Sequence, residues 1–304
     1  MNEPSAQQLQ AMTRRRHPHY LRKVAAVVVA LVLVFWVQGL ARNKGLDWST
    51  VGHYLFDSSV LEGLKRTIII TVLSIVIAVV LAAVLANMRL SKNSVLRGTS
   101  WLYVWFFRSI PLLVLLIIAY NFSLLYPRLG FGIPFGGELF SFNTQDTIDP
   151  LTASIIAFGL QQAAYTSEVI RASIQSVPVG QREAATALGM TSTRTLLRIV
   201  FPQALRVAVP PVANETINLL KSTSLVAFIS VPDLLYSVQQ IYSANFQVMP
   251  LLVVASLWYM FLVSLLSVGQ YFIEKRLGNA PGAAARQRPA TEQALDRLEG
   301  TEIA

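Results

Sequence analysis

The chain contains no cysteine. Disulfide scaffolds, thiolate metal sites and cysteine nucleophiles are therefore excluded. Its three histidines, His17, His19 and His53, are too few and too peripheral for a metal centre. Charge is scarce as well: 13% of the 304 residues are Asp, Glu, Lys or Arg, against 54% hydrophobic. That balance excludes an ordinary soluble domain, and the apolar residues fall in runs long enough to cross a bilayer. The phosphate-cradling pattern G-x-x-x-x-G-K-[ST] is missing, so hydrolysis of ATP by that route belongs to another chain. Gly130-Phe131-Gly132 with Gly136-Gly137 is glycine-rich, but no strand–loop–helix pattern surrounds it, and a flexible loop is expected. Net charge is +9, with the bases gathered between apolar runs. This is the pattern of positive-inside loops, not of a nucleic-acid patch.

What is there is a series of apolar segments. Residues 1–23 are polar and basic, and Val24 to Leu40 is almost wholly apolar. A secretory signal peptide would look similar. Phe35-Trp36 is bulky where cleavage wants small residues, so residues 24–41 are expected to be a retained anchor helix. Further spans are expected at Leu64–Asn87, Thr99–Leu125 (interrupted at Pro111), Leu151–Arg171, Arg206–Val231 and Met249–Phe272. The loop with Arg89, Lys92 and Arg97 should lie inside. The segment from Tyr126 to Pro150 is acidic and should lie outside, and Pro232–Gln247 is outside or re-entrant. Six spans with both termini cytoplasmic satisfy every charge bias. The tail at 278–304 has a disordered composition.

Two spans carry unusual polarity. Gln161, Tyr165 and Glu168 fall at i, i+4 and i+7 on one helical face. A carboxylate in a span costs about 2.5–3.5 kcal/mol at the bilayer centre, so Glu168 should face the protein interior or a watery path, unless it merely pairs with Arg171. Asn214, Asn218 and Lys221 share a second face, with Glu215 and Ser222 in a neighbouring row. The polar run Lys221-Ser222-Thr223-Ser224 is expected to be unwound backbone beside a cavity. Hydrogen bonding between helices is the plainer use of such residues.

The stretch from Ser173 to Leu205 is long and polar for a membrane-protein loop. Glu183 to Leu188 favours helix, Gly189 suits a left-handed corner, and Thr191 or Ser192 can cap a second, basic helix bearing Arg194 and Arg198. Glu183 is expected in the first turn of a docking helix; a basic amphipathic helix lying on lipid is the alternative. Glu183-Ala184-Ala185, with Gly189 four residues on and then Ile199-Val200-Phe201-Pro202, resembles the EAA loop of ABC-importer membrane subunits. Ala164 to Arg171, Ser176 to Gln181, Pro202 to Arg206 and Leu220 to Val226 are similar to the polar amino-acid branch of that family. The resemblance covers roughly Leu61 to Leu277. It departs at Ser222, where many relatives carry an acidic residue, and in the N-terminal stretch before the common core.

The resemblance implies an all-α integral membrane protein, with a five-helix type I importer core over 61–277 preceded by one extra helix. It implies a permease in the bacterial inner membrane, not an enzyme, with no cofactor of its own and ATP with magnesium held by the partner ATPase. Two ATPase subunits, an extracytoplasmic substrate-binding protein, a second permease copy or paralogue, membrane lipid and an amino-acid substrate are the implied partners. Gln181, Glu183, Ala184, Ala185, Gly189 and Pro202 are the implied coupling residues. Tyr165, Thr166, Ser167 and Glu168, and more weakly Asn214 and Lys221, are carried over to the substrate path, joined by Gln161 from the shared face. An ion-coupled transporter using Glu168 or Glu215 would instead show inverted repeats, and none is visible.

Overall fold

Helix covers each of the six stretches expected to span the membrane. The structure, a computed structural model, describes residues 20–43, 45–132, 138–144 and 148–278. The basic N-terminus to residue 19 and the tail from 279 lie outside the described residues. Helix α1, Tyr20–Arg42, has an apolar stretch from Val24 to Gly39 that is exposed throughout its described length. Helix α2, Trp48–Tyr54, begins at Asp47, whose carboxylate accepts from the Ser49 and Thr50 amides. Asp57 caps α3, Ser58–Leu90, in the same way, so this span starts earlier than the apolar run alone indicates.

The third expected span is broken. Helices α4, Ser94–Ser109, and α5, Leu112–Tyr120, meet at 99°. Pro111 lacks an amide hydrogen and drives the residue before it out of the helical region, and Ile110 is accordingly extended at φ −94°, ψ 129°. Beyond the short turn α6, Phe122–Leu125, the segment expected to be a flexible loop contains an antiparallel hairpin. Its strands are β1, Arg128–Gly132, and β2, Glu138–Asn143, with Arg128 opposite Asn143 and a bulge at Phe131/Gly132.

Helix α7, Pro150–Gln175, opens with Pro150 in its first turn and Asp149 as cap. It lies at the centre, packed most extensively on α3. Buried small residues let the two backbones approach: Ala78 and Ala82 on α3, Ala153, Ala157, Ala163 and Ala164 on α7. Hydroxyls then bond across helices. Ser74 Oγ donates to Ile155 O at 3.2 Å, Ser100 Oγ to Leu85 O at 2.9 Å and Tyr103 OH to Leu160 O at 2.8 Å. In lipid, such bonds and close packing hold helices together, at roughly 0.6 kcal/mol per bond.

The polar stretch after α7 folds as α8, Val179–Ala187, then α9, Ser192–Thr195, a π-helical turn over Leu196–Val200 and α10, Phe201–Ser222. The helical path is continuous from Ser192 to Ile229, with Pro210 and Pro211 inside α10. The run Lys221–Ser224 is not unwound: α10 holds through Ser222 and tightens into a 3-10 helix over Thr223–Ile229, ended by left-handed Ser230 at φ 58°. Local i→i−4 and i→i−3 bonds from the Ser222, Thr223 and Ser224 hydroxyls satisfy the polarity that pointed to open backbone.

Helix α11, Leu234–Asn245, occupies the segment expected outside or re-entrant, and α12, Val248–Gly278, ends the described chain. Among the described residues, α3, Ser192–Ile229 and Val248–Leu277 are each long and apolar enough to cross a membrane, and the bent pair α4–α5 adds a fourth crossing if it is one span. α7 has the length but is too polar to count by composition. Its polarity is buried in protein, not in lipid.

Candidate functional site

The polar residues of α7 and α10 open onto a cavity of about 520 Å³ beside the α4–α5 break. Its walls include Arg108, Ser109, Gln161, Gln162, Tyr165, Glu215, Asn218 and Ser222. The break explains the position of Gln161. Carbonyls left unpaired where α4 stops need donors, and Gln161 Nε2 reaches Ile110 O at 2.9 Å and Phe107 O at 3.3 Å. Next to it, buried Gln162 donates to Glu215 Oε2 at 3.1 Å and to Thr166 Oγ1 at 3.3 Å. Glu215 thus presents a carboxylate to the cavity with a neutral neighbour. Arg108 lies over the Tyr165 ring, 5.1 Å from its centroid.

A second cavity, about 390 Å³, shares Arg108, Ser109 and Tyr165 with the first and is otherwise lined by Arg89, Trp101, Val104, Trp105 and Glu168. The Arg108–Tyr165 stack therefore stands between the two spaces. Glu168 is committed to cations: Arg171 Nη2 lies 2.7 Å from its Oε2 and Arg89 Nε 3.8 Å from its Oε1. Arg171 also donates to Gln175 at 2.6 Å. Glu168 thus lines a cavity, as expected, and also makes the local pair with Arg171 that was the alternative, with a second arginine contributed by the end of α3.

The residues singled out from sequence divide accordingly. Gln161 and Tyr165 line the larger cavity, and Tyr165 and Glu168 the smaller. Thr166 and Ser167 are buried away from both, Ser167 donating to Ala164 O at 2.9 Å. Asn214 accepts from Gln270 at 3.2 Å on the α12 side, and Lys221 is exposed. The cavity-facing row on α10 is Glu215–Asn218–Ser222, one residue round from Asn214–Asn218–Lys221. Glu215, Gln162 and Arg108 are among the cavity residues that the shared-face reading left out, with Ser109 and Ser222. The choice between adjacent rows on α10 depends on what that helix packs against, which no spacing within it specifies.

At the far end of α7, α8 stands off the bundle. Only Ala185 of α8 is buried; Gln181, Glu183 and Ala184 are exposed, and Leu188 is 82% exposed. The helix starts at Val179, behind Pro178, so Glu183 sits in its second turn, not its first. A stabilising effect of Glu183 on the helix N-terminus is thereby lost. Gly189, at φ +72°, closes the helix: its amide donates to Thr186 O and the Met190 amide to Ala185 O. Thr191 caps the next turn by accepting from Arg194 N at 3.4 Å. Pro202 follows the π-helical turn at the start of α10, where the continuous helical path forgoes one backbone bond.

Residues 74–279 match the sequence family described as binding-protein-dependent transport system inner membrane component. The chain belongs to that family. Within it, the arginine transport system permease protein ArgU of Corynebacterium glutamicum is 38% identical over 290 residues, covering 94% of this chain and 89% of the relative. The L-cystine transport system permease protein TcyB of Bacillus subtilis is 40% identical over 239 residues, covering 78% and 94%. Among solved structures, an amino acid ABC transporter with histidines superposes with a TM-score of 0.61 at 29% identity, covering 72% of this chain and 94% of that one. The MetNI methionine ABC transporter in an inward-facing form shares the fold, with a TM-score of 0.57 at 18% identity. This inner membrane component is therefore a multi-pass ABC-importer permease and not itself an enzyme. An ion-coupled secondary transporter is the disfavoured reading.

Proposed function

We propose that the chain is the translocation subunit of an importer for amino acids, and that the 520 Å³ cavity holds the substrate in transit. The observation that carries this reading is the pairing of opposite charges across one polar chamber. Arg108 suits an α-carboxylate, Glu215 suits an α-ammonium or a cationic side chain, and Gln162 and Asn218 supply neutral donors. The kinship with ArgU and TcyB supports amino-acid substrates. Glu168, held by Arg89 and Arg171, serves at the inner boundary of the path, and Tyr165 divides the chambers.

In this reading α8 is the coupling helix. Gln181, Glu183, Ala184 and Leu188 form its docking face, Ala185 anchors it, and Gly189 sets its angle. Two ATPase subunits, a second permease subunit and an extracytoplasmic binding protein complete the assembly, with both termini and the Ser173–Leu205 loop in the cytoplasm. Reporter fusions within residues 138–144 should read outside, and those within 173–205 inside.

The deciding experiment is uptake of an amino-acid panel by proteoliposomes holding this chain with its ATPase and binding protein. Glu215→Gln keeps the shape and removes a charge-assisted hydrogen bond of about 1.5–3 kcal/mol, so uptake should fall by about 10- to 100-fold with ATPase binding intact. Absence of ATP-driven uptake of every amino acid by the wild type would reject the substrate class.

A further inference from the structure

A third cavity, about 540 Å³, opens where α8 and the Ser192–Phe201 segment meet the ends of α3 and α7. It is separate from the substrate chambers and shares no lining residue with them. Its chemistry is two-sided. Leu90, Ile174, Val200 and Phe201 give it apolar walls, while Arg182 and Thr195 bring polar atoms. Arg182 is held by one arm, its Nη2 donating to Ile174 O at 2.6 Å, and among the described residues its buried Nε has no hydrogen-bond partner. Thr195 is 8% exposed, and its buried Oγ1 is likewise unpartnered. Buried donors without partners are costly, and two of them lining one cavity point to an acceptor brought from outside.

We propose that this cavity binds an anionic phospholipid, with side-chain rotation bringing Arg182 Nε and Thr195 Oγ1 to its phosphate and an acyl chain lying on the apolar wall. Three features favour a lipid over a soluble anion. Leu90 is the last residue of a 33-residue helix long and apolar enough to cross a membrane, which puts the cavity at the end of a span. Phe201 and Leu197 are about half exposed and extend the apolar wall to the lipid-facing surface. Arg198 and Arg194 lie exposed on the same stretch and attract an anionic leaflet. The π-helical turn at Leu196–Val200 contributes Leu196, Leu197 and Val200 to the wall; such turns recur at functional sites. A lipid seated here ties α8 to the spans. Its assignment to the inner leaflet rests on the cytoplasmic placement proposed above, whereas binding itself does not.

The test uses the full chain purified in neutral detergent and challenged separately with phosphatidylglycerol, phosphatidylcholine and inorganic phosphate. Native mass spectrometry and thermal unfolding are the readouts. Wild type should retain phosphatidylglycerol and gain thermal stability from it, with phosphatidylcholine retained far less and excess phosphate failing to displace it. Arg182→Gln should weaken phosphatidylglycerol binding about tenfold, equivalent to about 1.4 kcal/mol, with Arg182→Lys intermediate and Thr195→Val a smaller loss. Equal retention of both lipids by wild type overturns the proposal, as does undiminished binding by both Arg182→Gln and Thr195→Val. Displacement by inorganic phosphate would make this a soluble-anion site and overturns the lipid. Failure of the import reading would appear only in the uptake assay and leaves these results unchanged.

Discussion

Two of the short helices off the main spans, α8 and α11, are held very differently. α11 is locked to its own chain. Its cap Asp233 is fully buried, Leu234 N donates to Thr67 Oγ1 at 3.1 Å, and Leu234 and Val238 join the core with Val60 and Leu251. Gly63 of α3 faces it so closely that a Cβ there would stand 2.6 Å from Asp233 O. α8 has little of this beyond the Arg182 Nη2 bond to Ile174 O. It buries one residue, its cap Pro178 offers no side-chain bond, and it shows Val179 and Leu188 to the outside. Among the described residues Glu183 makes no ion pair. A helix satisfied by its own chain is scaffold. One left with exposed apolar ends and a free carboxylate is built to meet something else.

The contrast can be broken from the α11 side with the largest effect. Gly63→Val places atoms against backbone that cannot yield, and should cost about 3 kcal/mol or more, read as a fall in thermal stability of the purified chain. An unchanged midpoint would show that α11 is not clamped there.

Next comes the α8 corner. No atom lies within 4 Å of a Cβ built on Gly189, so Gly189→Val meets only the backbone cost of positive φ, about 1–2 kcal/mol, confined to the corner. Membrane insertion should be normal while ATPase pull-down and substrate-stimulated hydrolysis are lost. Glu183→Lys should lose the same two activities with no loss of stability. If α8 merely lay on lipid, that reversal would be harmless or would strengthen attachment to anionic headgroups. Leu188→Ala sharpens the point more gently: about 1 kcal/mol of ATPase affinity and no change in unfolding temperature.

A pH-dependent effect concerns Asp233, between the fifth and sixth spans. Burial raises its pKa from 3.8 to about 6, against the lowering by amide donors at Tyr236 and Leu235. The folded chain therefore binds more protons than the unfolded one between 3.8 and about 6. This group's contribution is fully present below 3.8 and is lost as pH rises through about 6. Asp233→Asn should flatten the unfolding temperature across that window and leave α8 docking untouched. A slope as steep as wild type would place the titration elsewhere.

What the sequence made legible was local. The Gly189 corner and the Thr191 cap depend on neighbours a few residues away, and both appear as expected. So do the helices at the six expected spans, because length and apolarity are properties of a segment. Glu183 was misplaced within α8 because Pro178, rather than the acidic residue, marks the helix start. The other departures come from contacts between distant segments. Arg89 reaches Glu168 from another helix, Gln161 mends a break 51 residues earlier, and the facing row of α10 depends on α7. The strand pairing of Arg128–Gly132 with Glu138–Asn143 is set between segments whose glycines alone read as a loop.

The unbroken helical path from Ser192 to Ile229 has a mechanical consequence. At about 1.5 Å per residue, roughly 35 Å of stiff rod separates the corner after Gly189 from the carboxylate of Glu215. Pro210 and Pro211 remove two ladder bonds along that rod, just before the cavity. A rod with a soft joint is a lever. A tilt of about a tenth of a radian at the corner swings the far end by about 3.5 Å, enough to make or break a hydrogen bond of about 3 Å. The same rod can bend at the prolines while its two halves stay straight.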